Sequence, residues 1–267
     1  RYRKRKVIPM NLAWQHFIQY KPLLYELVAR DLKVKYRRSF LGYVWSLLNP
    51  LLMMCVMTLV FSYVFRFDIP NYPLYLITGQ TLWTFFNEST NMSMYSVLQN
   101  GALIKKVYIP KFIFPVSRVL SSFVTMSFSL IAILIVMVGT QSPFYWTILL
   151  FPIPLFLLLL FSMGVGMILS ALSVYFRDIT HLYSVLTLAW MYMTPTFYPV
   201  SALPENIQPI IQVNPICAYI TFFREVVLYG TMPTAFMWLQ CIAASLLALI
   251  LGLAVFRKMQ RNFILYI

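Results

Sequence analysis

The chain is 267 residues long, 61% hydrophobic and only 10% charged, with a mean hydropathy of +0.76 and a net charge of +14. A soluble domain carries about 25% charged residues, so this composition excludes one and leaves a multi-span integral membrane protein. The charge is not that of a nucleic-acid binder: eleven of the 21 Lys and Arg fall within residues 1–38, and nearly all the others lie in short segments between apolar runs, a membrane-orientation and anionic-lipid signal.

Residues 1–38 read as a cytoplasmic basic arm. The opening RYRKRK has no adjoining apolar core and is not expected to be a signal peptide. From residue 11 the pattern is amphipathic. Trp14, Phe17 and Ile18 fall at i, i+3, i+4, and Leu24, Leu27 and Val28 repeat that spacing after Pro22. Glu26, Arg30, Lys33 and Arg37 form the opposite stripe, with Glu26 and Arg30 spaced for an ion pair. Asp31 and Lys35 interrupt the apolar face. One or two helices lying in the membrane interface are expected. Arg30, Lys33, Lys35, Arg37 and Arg38 then meet a charge-free run, Ser39 to Phe65, of 27 residues. A cationic collar against a run longer than the roughly 20 residues of a crossing helix marks the cytoplasmic boundary.

Residues 39–267 read as a six-span transmembrane domain, with spans at about 42–65, 74–95, 112–138, 146–173, 182–199 and 235–256. Pro50 is expected to kink the first span. Glu88 in the second is costly unless paired or wetted, and Arg118 in the third is expected to snorkel or to be ion-paired. Between these two spans, QNGALIKKVYIPK returns to the basic side, with room for a short helix at about 102–107 between Asn100-Gly101 and Pro110. Gly164 and Gly166 in the fourth span permit close helix approach. Asp178 and His181 lie at a span junction, where capping or salt bridging is expected. The fifth span ends in TPTFYP. Residues 200–233 hold two apolar pieces too short to span, Ile207 to Val213 and Pro215 to Leu228, expected as external re-entrant or interfacial helices. Lys and Arg flanking the spans divide 18 to 2 in favour of the side holding both ends, which places both termini in the cytoplasm.

No catalytic pattern emerges. There is no GxxxxGK[ST] loop, so no nucleotide site of that kind is expected. His16 and His181 are the only histidines and have no cysteine partners, so no metal site is expected. Cys55, Cys217 and Cys241 form no CxxC pair and read as small apolar residues. The aromatics remain. Trp190, Tyr192, Phe197 and Tyr198 gather on the fifth span and its exit, and Tyr43 and Trp45 open the first. They serve as packing and belt residues, or as stacking faces along which a glycan slides. A membrane enzyme acting on polyprenyl lipids would need converging acids or a His–acid pair; a secondary transporter would show inverted repeats. Neither is visible.

Several segments together carry a resemblance: RDLKVKYRRSFLGYVWSLLNP, the loop with Lys105-Lys106, ALSVYFRDI at 171–179, TPTFYPVSALP and VNPICAYITFFREVVLYG. From about residue 11 to 260 the chain resembles the membrane subunit of an ABC exporter of the type-two permease class, in the branch of O-antigen, wall teichoic acid and capsule permeases. A drug or small-lipid exporter is the competing member of that class. The resemblance implies an all-α membrane protein with an amphipathic interface helix at about 11–38, a cytoplasmic coupling helix at about 99–108 and an external re-entrant pair at 201–230. It also implies a homodimer joined to two copies of a separate ABC ATPase, in a bacterial cytoplasmic membrane. ATP and Mg would then be used by the partner, with no cofactor on this chain. Gly101, Ala102, Leu103, Ile104, Lys105, Lys106 and Val107 are implied to dock into the ATPase. The substrate implied is a polyprenyl-pyrophosphate-linked glycan. Its head group is expected at Arg30, Lys33, Lys35, Arg37 and Arg38, and its sugars along Tyr43, Trp45, Trp190, Tyr192, Phe197 and Tyr198.

Overall fold

The computed structural model describes residues 10–37, 39–64, 69–107 and 109–267. Arg38, Arg66 and the tail before Met10 lie outside the described residues, as do the side chains of Trp14, Phe17 and Ile18. The described residues are mostly helical, without strands. In chain order the helices are α1 (Met10–Tyr36), α2 (Trp45–Val64), α3 (Tyr72–Gln99), α4 (Gly101–Lys106), α5 (Ile113–Gly139), α6 (Pro152–Tyr175), α7 (Ile179–Tyr192), α8 (Gln208–Val213), α9 (Pro215–Arg224), α10 (Ala235–Met259) and α11 (Phe263–Tyr266). Over its described residues the arm is one helix: α1 runs through Pro22, and α2 likewise through Pro50.

Among the described residues four stretches are long and apolar enough to cross a membrane: Gly42–Phe61, Ile113–Gly139, Trp146–Tyr175 and Ala235–Tyr266. The other two predicted spans also form helices, of a different kind. At 28 residues, α3 is about 42 Å long, but it is rich in Thr, Ser and Asn. It can be polar because it is the central helix, packed against α2, α5, α6 and α9, with neighbours instead of lipid around it. Its Thr78, Ser89 and Thr90 hydroxyls bond back to carbonyls one turn earlier. By contrast, α7 is short. It stops at Tyr192, seven residues before the predicted end, because the residue ahead of Pro195 is driven out of helical geometry. Its 14 residues reach about 21 Å, against roughly 30 Å of hydrocarbon.

Packing follows the small residues. At Gly164 of α6 the main chains of α6 and α10 touch: a Cβ there would run into the backbone of Ala248, and one on Gly252 would run into Gly164. Gly166 gives the same clearance to Ser93 of α3. Polar links then lock the bundle: Ser93 Oγ donates to the Pro115 carbonyl (3.1 Å), Ser173 Oγ to that of Met94 (2.6 Å), and Tyr183 Oη to Thr90 Oγ1 (2.6 Å).

Beyond α7, Val200–Ala202 forms a 3-10 turn, and α8 and α9 follow as predicted short helices. Asn214 caps α9 by accepting from the Ile216 amide and ties it to α7, accepting from Trp190 Nε1 (2.9 Å) and donating to Thr194 (3.0 Å). α9 passes into a π-helical turn, Glu225–Tyr229, that ends at Gly230 with φ +67°.

Candidate functional site

Two residues that looked misplaced on the arm organise the site. Asp31 and Lys35 break the apolar face of α1 because each points at a polar partner in the bundle. Asp31 is buried, 3.1 Å from Arg118 Nη1 on α5 and 3.1 Å from Arg30 Nη2, and it accepts from Ser121 (3.4 Å). Arg118 is thus ion-paired, as one of its two expected arrangements had it. It also donates to Gln99 (3.0 Å), while Arg30 reaches Asn100 (3.5 Å). The Glu26–Arg30 pair suggested by spacing gives way to Arg30–Asp31, since a buried carboxylate is the stronger attractor. This network fastens the arm to the end of α3, where α4 begins.

Lys35 lies one turn further on. Its ammonium is 2.5 Å from Glu88 Oε1 of α3, which gives the costly carboxylate the partner that its position demands. The pair stands at a cavity of roughly 420 Å³ between α2, α3 and α5. Ser46 and Asn49 of α2, Gln80, Thr81 and Thr84 of α3, and Ser122, Thr125 and Ser129 of α5 supply its polar lining, and Trp45 stands at the edge. Ser46 donates to the Tyr43 carbonyl, and Ser129 to that of Ser46, which sets the wall between α2 and α5.

The predicted residues are distributed as follows. Of the cationic collar, Arg30 and Lys35 are engaged with carboxylates, and Lys33 and Arg37 are exposed. The six aromatics do not form one surface within the chain. Trp45 lines the polar cavity, and Tyr43 packs on Phe128 at 5.9 Å. Trp190 packs edge-on to Phe86 and borders an apolar groove along α7 with Leu182, Val185 and Leu186. Phe197 stacks on Phe61, Tyr198 donates to the Tyr192 carbonyl (2.6 Å), and Tyr192 stays exposed.

The short helix α4 is two-faced. Gly101 and Ile104 are buried, Gly101 against Ile267 and Ile104 in a cluster with Leu27, Phe114 and Phe256. Ala102, Lys105, Lys106 and Val107 face outward, with Leu103 between the two faces. Beside α4, Lys111 donates to the Gln260 carbonyl (2.7 Å) above the Phe263 ring, and burial holds its amine below the ordinary lysine value.

At the junction before α7, Asp178 sits at the N-cap position but makes no side-chain capping bond.

Sequence reasoning missed Arg224. Counted as an external charge, it is buried (3% exposed) and has no carboxylate partner among the described residues. Its guanidinium lies 3.4 Å over the Tyr75 ring and donates to the carbonyls of Pro195 (2.8 Å), Tyr75 (2.9 Å) and Thr196 (3.0 Å). Gly79 makes room for it, since a Cβ there would meet Nη2. The signal was legible: Gly79 within a span, and a Pro-broken helix exit whose bare carbonyls need a multidentate donor.

An apolar-surfaced helical bundle with a polar cavity walled by its central helix is an integral membrane protein. Residues 22–228 match the family described as ABC-2 type transporter. The chain is 33% identical over 260 residues to the O-antigen export system permease protein RfbA of Klebsiella pneumoniae, covering 95% of this chain and 98% of that one. It is 32% identical over 248 residues to the protein of the same name from Myxococcus xanthus (92% and 95% covered). To the polysialic acid transport protein KpsM of Escherichia coli it is 21% identical over 241 residues (88% and 92%). The chain belongs to the ABC-2 type transporter family, as its resemblance to type-two permeases implied.

Proposed function

We propose that this chain is the membrane subunit of an ATP-driven exporter that moves lipid-linked polysaccharide across the bacterial cytoplasmic membrane. The observation that carries this reading is the end-to-end relation to an O-antigen export permease, 33% identity over 98% of that protein. In this reading two copies of the chain join two ABC ATPase subunits, and ATP and Mg are used there. α3 and the α7–Pro199 segment complete six crossings, with both termini cytoplasmic, as the distribution of Lys and Arg favours. The outward face of α4, with Ala102, Lys105, Lys106 and Val107, docks into the ATPase while Gly101, Leu103 and Ile104 hold it to the bundle.

Lys33, Arg37 and Arg38 draw the pyrophosphate head group to the arm, and Arg30 and Lys35, held by Asp31 and Glu88, add only to the positive field there. Tyr43, Trp45, Trp190, Tyr192, Phe197 and Tyr198 border the glycan's passage once a second copy brings α2 and α7 together. The large exposed apolar side chains of those helices, such as Val56 and Leu59 on α2 and Leu182 and Val185 on α7, suit such an interface as well as lipid.

The test is reconstitution. The chain is purified with its ATPase, placed in proteoliposomes and supplied with polyprenyl-pyrophosphate-linked glycan. ATP-dependent glycan appearance on the far side is expected. ATP turnover indifferent to the glycan, with none exported, would overturn the reading.

A further inference from the structure

The cavity between α2, α3 and α5 holds polar groups that no step above uses. Thr81 is 4% exposed, and among the described residues its Oγ1 has no hydrogen-bond partner; nor has Gln80 Oε1. Both line the same cavity. Buried polar atoms are nearly always paired, so two bare ones on one wall mark a space shaped for something that bonds to them.

Charge decides what that something is. The cavity's one cation among its lining residues, Lys35, is already bound to its one carboxylate, Glu88. The space is therefore close to neutral. A phosphate would need surplus positive charge, and a metal ion or ammonium group surplus negative charge. A neutral ring dense in hydroxyls needs neither. Each hydroxyl can donate to Gln80 Oε1 or to Glu88 and accept from Thr81, while the indole of Trp45 offers a flat face to ring C–H groups. The volume, roughly 420 Å³, lies inside the range of about 300–1,000 Å³ for ligand pockets.

We propose that this cavity is a sugar-binding subsite within the single chain, taking one neutral pyranose ring of the exported glycan. The proposal rests on the polysaccharide-export reading and deepens it, placing a specific sugar contact on α3 and α5 that meets the aromatic passage at Trp45.

Thr84, an exposed lining residue, supplies the reporter. Thr84→Cys is made in a chain whose Cys55, Cys217 and Cys241 are replaced by alanine, and the complex with its ATPase is reconstituted. Its reaction with a neutral methanethiosulfonate is timed alone, with polyprenyl pyrophosphate, and with polyprenyl-pyrophosphate-linked glycan. At a glycan concentration about ten times its dissociation constant, labelling is expected to slow about tenfold, and the sugar-free carrier is expected to leave the rate unchanged. Thr81→Val and Gln80→Leu should each raise the half-protecting glycan concentration about tenfold.

Equal protection by the bare carrier would put the phosphate in the cavity and overturn the proposal. So would absence of protection in vesicles that export glycan, which would leave a water-filled cavity and an intact export reading. If the unsubstituted complex exports no glycan, the export reading fails and the subsite fails with it. Ser129→Cys, on the facing wall, replaces the reporter if Thr84→Cys does not fold.

Discussion

Asp31 on the arm and Arg118 on α5 meet 3.1 Å apart, with side chains 3% and 14% exposed. Neutralising Asp31 leaves Arg118 buried without its carboxylate, which costs about 3–5 kcal/mol. Asp31→Asn is therefore expected to lower the unfolding temperature of the purified protein markedly. Arg118→Met in the same chain should recover much of the loss, because it removes the buried charge that Asp31→Asn leaves without a carboxylate. Calorimetry of the two single variants and the double variant checks this, and additive losses would contradict it.

Lys35 and Glu88 are each about a third exposed, so their pair is expected to contribute less, about 0.5–1 kcal/mol. A double-mutant cycle of Lys35→Met and Glu88→Gln in low and high salt measures the coupling. It should shrink as salt rises, whereas the Asp31–Arg118 coupling should hardly change.

Arg224 satisfies three carbonyl groups at once through a single guanidinium. A lysine has one ammonium and no fork. Arg224→Lys is thus expected to destabilise by about 2–4 kcal/mol through bare buried carbonyls. It should also open the 193–199 turn to limited proteolysis. Gly79→Ala should produce the same cleavage pattern by displacing the guanidinium. Different patterns would separate the two residues.

Lys105 and Lys106 are exposed on α4 and touch no carboxylate among the described residues. Reversing both to Glu is expected to leave the stability within about 0.5 kcal/mol of the parent, while co-purification of the ATPase falls sharply. An unchanged yield of the complex would remove α4 from the docking surface.

Much of this was legible in the residues. The break at Asn100-Gly101, the Pro-limited end of α7 and the short pieces around Ile207 and Pro215 follow from local backbone chemistry that tertiary packing does not override. The arm's amphipathicity was legible too, but its two exceptions read as noise. Asp31 and Lys35 make sense only once α5 and α3 stand opposite them, and those partners lie 87 and 53 positions away. The cavity was hidden for the same reason. Ser46, Thr81 and Ser129 sit on three helices, each with a hydroxyl that reads singly as ordinary helix back-bonding. The burial of Arg224 was missed because charge counting assigns a side and not a depth, and α9 turns this side chain inward.

The Gly164–Gly252 crossing has a mechanical consequence. Where two main chains touch there is no rotamer to flip, and sliding one helix by a residue would drive a Cβ into a carbonyl. α6 and α10 therefore form a stiff spar, and α3 leans on it through Gly166. Any hinge in the transport cycle has to lie off this spar. A pair of spin labels placed across α6 and α10 would keep a single separation through ATP turnover, and labels on α2 or α7 would report the working stroke.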